Sequence, residues 1–343
     1  MPPALYAGFS GVTWVAEHLL RHGVLSEPIP LLDEIDHVLC DSARTNSEHR
    51  IWTGEFDLIS GLVGLGVYGL ERFPRPAARE LLGIILERLA ERAEHRADGI
   101  TWWSDPVEYP DFVKERVMHG CYNLGVAHGT PGVIAFLGRL VAQDIGVSLA
   151  RELLDGAVSW LMGRRLFDEP GVGFPCWIAP DEAPPATRTG WCYGNAGIAP
   201  ALLRAAGDIG DATLRREAIR LAVESAQRSV KENNVVDACL CHGAAGNGHL
   251  FNRMYQATGE PELCQASRDW FERALELRKP GVGIAGFQNW GLISMRTGEL
   301  GWLATPGFLD GAAGIGLALL AAVTPVEPAW DRLLLTSVPP QAG

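Results

Sequence analysis

Apolar residues recur at three- and four-residue intervals in stretches such as PAARELLGIILERLAERAEH, LARELLDGAVSWLMGRR and ATLRREAIRLAVESAQRSV. That is the helical period, and the charged residues fall on the opposite face, so these stretches predict amphipathic helices covering a core. A second class of segment is apolar nearly all round, as in VTWVAEHLL, VIAFLGRLVA, IAPALLRAA and IGLALLAAV. Few segments alternate with the period of a strand. The two classes take turns along the chain. The pattern therefore predicts an all-α protein, with apolar inner helices and charged outer ones.

Each apolar segment follows a Gly-x-x-Gly pair. The pairs are Gly8/Gly11, Gly61/Gly64, Gly129/Gly132, Gly194/Gly197, Gly243/Gly246 and Gly311/Gly314, starting roughly 50 to 70 residues apart. That spacing holds two helices and their connections, one repeat unit. Units of this kind in a chain of 343 residues suit a closed barrel of helix pairs. Glycine allows close backbone approach or unusual dihedrals at a helix start, and this role suffices for most of the pairs.

Composition narrows the function. Hydrophobic residues make up 47% and charged residues 20%, the balance of a globular chain. A net charge of -12 argues against nucleic acid as a partner, since phosphate binding needs clustered Lys and Arg. No apolar run is long enough for a membrane span. The start, MPPALYAGFSGV, lacks the basic and long apolar regions of a signal peptide, so a cytoplasmic location is expected. Seven cysteines, at 40, 121, 176, 192, 239, 241 and 264, make a poor disulfide framework and leave reduced thiols free to bind metal.

Metal-type side chains stand directly ahead of three glycine pairs, in Ala127-His128-Gly129, Trp191-Cys192-Tyr193-Gly194 and Leu240-Cys241-His242-Gly243. If equivalent turns gather at one end of a helical ring, Cys192, Cys241 and His242 form a Cys2His set. Such a set suits Zn2+ and leaves a fourth position open, the mark of a catalytic site. The plainer reading is three buried, unligated residues, since cysteine is often core. Cys239 and His249 are rival ligands, but they lack the position next to the glycine pair. A substrate thiol entering the open position would ionise and become a nucleophile. Bound water would instead mean hydrolysis.

WCYGNAG at 191–197, CHGAAG at 241–246 and AHGTPG at 127–132 together resemble the lanthionine synthetase C family of lanthipeptide cyclases. The resemblance covers nearly the whole chain, so residues 1–343 are expected to form one α/α-toroid cyclase domain. It implies zinc held by Cys192, Cys241 and His242. It also implies Michael-type addition of a peptide cysteine to dehydroalanine or dehydrobutyrine, closing a (methyl)lanthionine thioether. The expected partners are a dehydrated precursor peptide with leader and core, a lanthipeptide dehydratase and a transporter.

By the same motifs His128 matches an active-site histidine, Tyr193 follows the first zinc cysteine, and Arg188 and Asp57 match an arginine and an acid of the family. The addition produces an enolate that needs a proton at the α-carbon. His128 is the natural general acid, its alternative being a hydrogen-bonded core histidine. Asp57 would orient or charge His128 or take the thiol proton, or else cap a helix. Arg188 would steady the enolate or hold Asp57, or else form a surface ion pair. Tyr193 would donate to the enolate oxygen, or else pack as a ring with its hydroxyl satisfied.

Three features depart from the family. The first glycine pair lies almost at the N-terminus. The family has seven helix pairs against six clear glycine pairs here, so 283–295 is expected as a degenerate unit. The candidate leader-binding insertion, 99–120, is short, and its Trp102 and Trp103 either stack on a peptide or cover the barrel rim. Two other functions share the zinc: addition of glutathione to dehydrated residues, and non-catalytic peptide binding around structural zinc. A glycosidase toroid would need a facing carboxylate pair, which the repeat positions do not supply.

Overall fold

The computed structural model describes residues 1–6, 8–44, 54–106, 119–166, 173–180, 187–230, 233, 235–294 and 297–340. Every glycine pair opens a helix. These are α1 (Phe9–Arg21), α3 (Leu62–Arg72), α5 (Thr130–Ala142), α7 (Asn195–Ile209), α9 (Ala244–Thr258) and α11 (Ala312–Val323). Between them lie α2 (Leu31–Arg44), α4 (Pro76–Arg92), α6 (Val147–Met162), α8 (Ala212–Ala226) and α10 (Pro261–Glu276). The glycine-led helices pack in chain order, α1 on α3 and so on to α11, while α4, α6, α8 and α10 cover α3, α5, α7 and α9. Tyr6 and Phe308, in the turns before α1 and α11, stack with centroids 6.5 Å apart and bring the two ends of the series together. The result is a double ring of helices.

The inner helices start without a side-chain cap, because each N-cap residue is glycine. Their first N–H groups need acceptors all the same. In α1, α3, α9 and α11 carbonyls seven residues back supply them. Leu62, Val63 and Gly64 donate to Glu55, Phe56 and Asp57, each at 3.1 Å. Ala244 donates to Asp237 at 3.0 Å and Ala312 to Thr305 at 3.0 Å. The turn must therefore run alongside the helix start, which leaves no space for a Cβ. A methyl on Gly246 would lie 1.9 Å from the Leu240 carbonyl oxygen, and one on Gly132 would lie 2.3 Å from that of Val126. The second glycine of every pair meets the same carbonyl, six residues earlier.

Adjacent turns are tied by backbone hydrogen bonds. Tyr6 N donates to Ile59 O at 3.0 Å and Leu58 N to Ala127 O at 3.1 Å. Trp191 N donates to Cys241 O at 2.9 Å, and Leu240 N and Cys241 N both donate to Leu309 O at 2.9 Å. The residue three before each pair faces inward: Leu5, Leu58, Val126, Trp191 and Leu240 are buried, and Phe308 is half-buried.

A 3-10 helix, Ala329–Leu334, fills the middle of the ring. Asp331 is fully buried and pairs with His249 (3.2 Å) and Arg253 (3.0 Å) of α9. Leu333 O accepts from the Tyr6 hydroxyl at 2.8 Å and Leu334 O from the Trp191 indole at 2.9 Å.

Three expectations change. The apolar all-round pattern implied burial, yet α1 and α11 each bury one face, leaving Val12, Val15, Leu320 and Val323 exposed. α2, which follows α1, packs on α4 and α3 instead of covering it. The expected degenerate helical unit at 283–295 contains a strand, β1 (Asn289–Ser294), paired antiparallel with β2 (Glu299–Leu303). Trp290 sits opposite Trp302 and Leu292 opposite Leu300, cross-strand pairs that favour a hairpin over a helix. Trp102 is fully buried and donates its indole N–H to Leu89 O at 2.8 Å, so it covers the core and is closed to a peptide. Trp103 packs edge-on against Tyr122 at 4.7 Å. Residues 107–118 of the candidate leader-binding insertion lie outside the described residues.

Gly132→Ala and Gly246→Ala should each lower unfolding stability by about 2–4 kcal/mol, because a carbonyl blocks the new methyl. Gly83→Ala is the control: it lies within α4, with nothing within 4 Å of the added carbon. That change should stabilise by about 0.5–1 kcal/mol. Denaturant unfolding of the three variants checks the contrast.

Candidate metal centre

Cys192 lies in the turn before α7, and Cys241 and His242 lie in the turn before α9. The hydrogen bond from Trp191 N to Cys241 O fixes these turns side by side. The two sulfurs and an imidazole nitrogen all lie within 4.8 Å of one another. Cys192 is buried, while Cys241 and His242 are half-buried, so the cluster has an open side. Nδ1 of His242 is buried with no partner among the described residues. An orphaned buried nitrogen beside two thiols is the signature of a group shaped for a ligand.

A second set, Asp237, Cys239 and His242, meets the same distance limit. Its carboxylate is already committed. One oxygen accepts from Cys239 N at 3.0 Å and the other from Trp290 N at 2.8 Å. Burial, then the charge of Asp237, pushes the Cys239 thiol well up. Because its carboxylate already serves two backbone N–H groups, the second set is the weaker metal site and the first the better. His249, the other rival, belongs to the Asp331 contact in the ring interior.

The sulfurs behave as a pair. A hydrogen bond from Cys241 holds the Cys192 thiol well below its ordinary value against the cost of burial, with help from His242 and Arg188. Cys241 is pushed well up, first by its bond to Cys192, then by burial and by the neighbouring negative charge. The site thus welcomes one negative charge and resists a second unless a cation enters. Two thiols, one imidazole and this charge demand fit a borderline-soft divalent ion with one position to spare.

Arg188 is exposed as a residue, yet its guanidinium is shielded beside the sulfurs; that shielding opposes the charge, but Cys192, Cys241 and Cys239 outweigh it and the pKa is raised. Its partners are the sulfurs, and among the described residues it makes no contact with Asp57. Burial also works against charge on His242, and the bond to Cys192 overcomes it.

Asp57 and His128 come from the neighbouring turns joined by Leu58 N and Ala127 O. One Asp57 oxygen accepts from Ser60 N and Gly61 N, both at 2.9 Å, and the other meets His128 Nδ1 at 2.5 Å. The carboxylate therefore holds its own turn and the imidazole at once, and it is buried while His128 keeps 39% of its side chain open. Desolvation lowers the His128 pKa, but the Asp57 bond and charge, then Cys192 and Glu55, raise it further, so the net shift is upward. The backbone of the His128 turn runs against that of Cys192, since a Cβ on Gly125 would lie 2.3 Å from Cys192 O. Tyr193 accepts from Asn123 Nδ2 at 3.0 Å and lies edge-on to Trp177 at 6.4 Å.

Sequence reasoning missed Asp310, Glu55 and Asn123. Asp310 stands directly before Gly311, the register of His128 and His242. It is exposed, yet shielding of its carboxyl raises its pKa against the pull of His242. Glu55 and Asn123 stand six residues before their glycine pair, the register of Arg188 and Asp237. Reading those two registers across all the turns would have found them.

The family model described as lanthionine synthetase C-like protein matches residues 3–335. Nisin cyclase, a solved structure, superposes with a TM-score of 0.77 at 19% identity, covering 98% of this chain and 80% of that one. A D-mannose isomerase gives 0.48 at 13% identity, covering 91% and 86%, too weak a likeness to bear on the fold. The double ring is the α/α toroid of nisin cyclase. With its match running across nearly all of its residues, the chain belongs to the lanthionine synthetase C-like family.

Proposed function

We propose that residues 1–343 act as one zinc-dependent lanthipeptide cyclase domain, closing (methyl)lanthionine rings in a dehydrated precursor peptide. The observation that carries this reading is the meeting of Cys192, Cys241 and His242 within 4.8 Å, next to the Asp57–His128 pair. Zinc bound by those three ligands would acidify a thiol presented at its remaining position.

The chain's own residues supply the rest. The cysteine sulfur of the peptide adds to the β-carbon of dehydroalanine or dehydrobutyrine. The carbon–carbon π bond breaks, and its electrons move to the α-carbon and carbonyl oxygen as an enolate. His128, held charged by Asp57, gives its proton to the α-carbon. The proton released by the thiol leaves to solvent and restores His128. Arg188 keeps positive charge against the sulfurs, and Tyr193, fixed by Asn123, stands next to Cys192 to orient the enolate oxygen. A dehydratase supplies the substrate in this scheme. Among the described residues no helix is long and apolar enough to cross a membrane.

The direct test is incubation of zinc-loaded protein with a dehydrated peptide containing cysteine. Ring closure consumes the free thiol with no change of mass. A peptide that keeps its thiol, or gains water, contradicts the proposal; a glutathione adduct formed in place of a ring assigns the chain to thiol addition. Cys241→Ala should lose both metal and turnover. His128→Ala should keep its metal while kcat falls about 10²–10⁴-fold. The pH profile supplies a separate check. The His128 pKa lies above its ordinary value, so the protonated acid is lost, and kcat/KM falls, as pH rises through that raised value. Asp57→Asn removes the bond and the charge that raise it. The alkaline limb should then move to lower pH, and an unmoved limb would deny His128 the acid's role.

A further inference from the structure

The end of the ring away from the sulfurs holds a cavity of about 380 Å³. Four guanidiniums line it, those of Arg21, Arg139, Arg204 and Arg332, and three carboxylates pair with them: Glu17 with Arg21, Asp208 with both Arg139 and Arg204, and Glu71 with Arg332. They come from α1, α5, α7 and the 3-10 helix. The chain has a net charge of -12, so this gathering of cations runs against its overall balance. Between the arginines the wall is apolar, with Val67, Leu70, Phe73 and Leu335.

The donors outnumber the acceptors. Arg139 reaches Asp208 at 2.6 Å through one nitrogen. Arg204 shares that carboxylate through Nε at 3.0 Å and gives Nη1 to Ser337 O at 3.2 Å. Arg332 uses Nη2 for both Glu71 (2.9 Å) and His18 (3.1 Å), and its Nε is buried with no partner among the described residues. Arg21 gives Nη2 to Phe73 O at 2.6 Å and brings Nε to 3.6 Å from Glu17. A guanidinium carries five N–H groups, so each of the four keeps donors that face the cavity or solvent and are free to take an anion. Helix dipoles explain Arg21 and Arg139, which stand in the last turns of α1 and α5. They do not explain Arg204, which stands before the last turn of α7, or Arg332, which belongs to no inner helix.

We propose that this cavity binds a small organic anion, a phosphate or carboxylate on an apolar body, gripped by Arg21, Arg139, Arg204 and Arg332. The volume is that of a small-molecule site. Planar guanidinium forks suit both anions bidentately. None of the four arginines belongs to the glycine turns, so the site stands whether or not the cyclase reading does.

The test is calorimetry and thermal unfolding of the full chain with inorganic pyrophosphate in one arm and citrate in the other. Sodium chloride at matched ionic strength is the control. Saturable binding with Kd below about 1 mM and a raised Tm are expected in at least one arm, and the tighter arm distinguishes phosphate from carboxylate. Arg139→Gln and Arg21→Gln should each weaken it about tenfold. Arg21 is 37% exposed and makes no contact with Asp208, so its variant carries the test if Arg139→Gln fails to fold. Absence of saturable binding beyond the chloride control overturns the proposal. So does binding that the substitutions leave unchanged.

Discussion

The structure depends on backbone carbonyls taking the place of side-chain caps. The inner helices α1, α3, α9 and α11 present their first N–H groups to the turn that precedes them, and in every inner helix the turn can lie so close only because the helix begins with glycine. The same turns then donate to one another, as Tyr6 does to Ile59 and Cys241 to Leu309. One constraint therefore opens the inner helices and aligns their starts at one end of the ring. Side chains remote in sequence become neighbours there without contributing to the alignment themselves.

This division of labour frees the residues just before the glycines for chemistry. The residue three before each pair is anchored in the core, and the residues one and two before it project from a fixed backbone. Cys192, Cys241 and His242 occupy the freed positions, and so does His128. Asp57 sits deeper and does two jobs, holding its own turn while it holds the imidazole of the next. The ring interior is filled by the chain itself. The segment from Ala329 to Leu334 is bound by the buried Asp331 to α9 and by two carbonyls to Tyr6 and Trp191, so the turn carrying Cys192 is supported from within.

Much of this was legible in the sequence because glycine pairs are rigid markers. A position that tolerates no Cβ repeats at every turn, and the repeat gives the register from which convergence of Cys192, Cys241 and His242 follows. The apolar and amphipathic helix classes separated inner from outer helices for the same reason. What failed lay outside the repeat. The segment at 283–295 carries glycines without a following apolar helix, and its alternating tryptophan and leucine form a hairpin instead. Burial of α1 could not be read from its composition, because it turns on where α2 packs. Trp102 and Trp103 stayed open between stacking on a peptide and covering the rim, because nothing local in the sequence reveals the Leu89 carbonyl or the Tyr122 ring that they meet. Asp310 and Asn123 are readable in principle from the registers one and six residues before the glycine pairs, but neither belongs to a cluster of cysteine and histidine that would draw the eye.

The central claim is that two sulfurs and one imidazole hold an ion with room for a further sulfur. X-ray absorption at the zinc edge measures this directly. The purified protein should show two sulfur neighbours, one imidazole and one light atom, and addition of a dehydrated cysteine peptide should replace the light atom with a third sulfur. A shell already completed by a fourth protein side chain, or one that the peptide leaves unchanged, would contradict it.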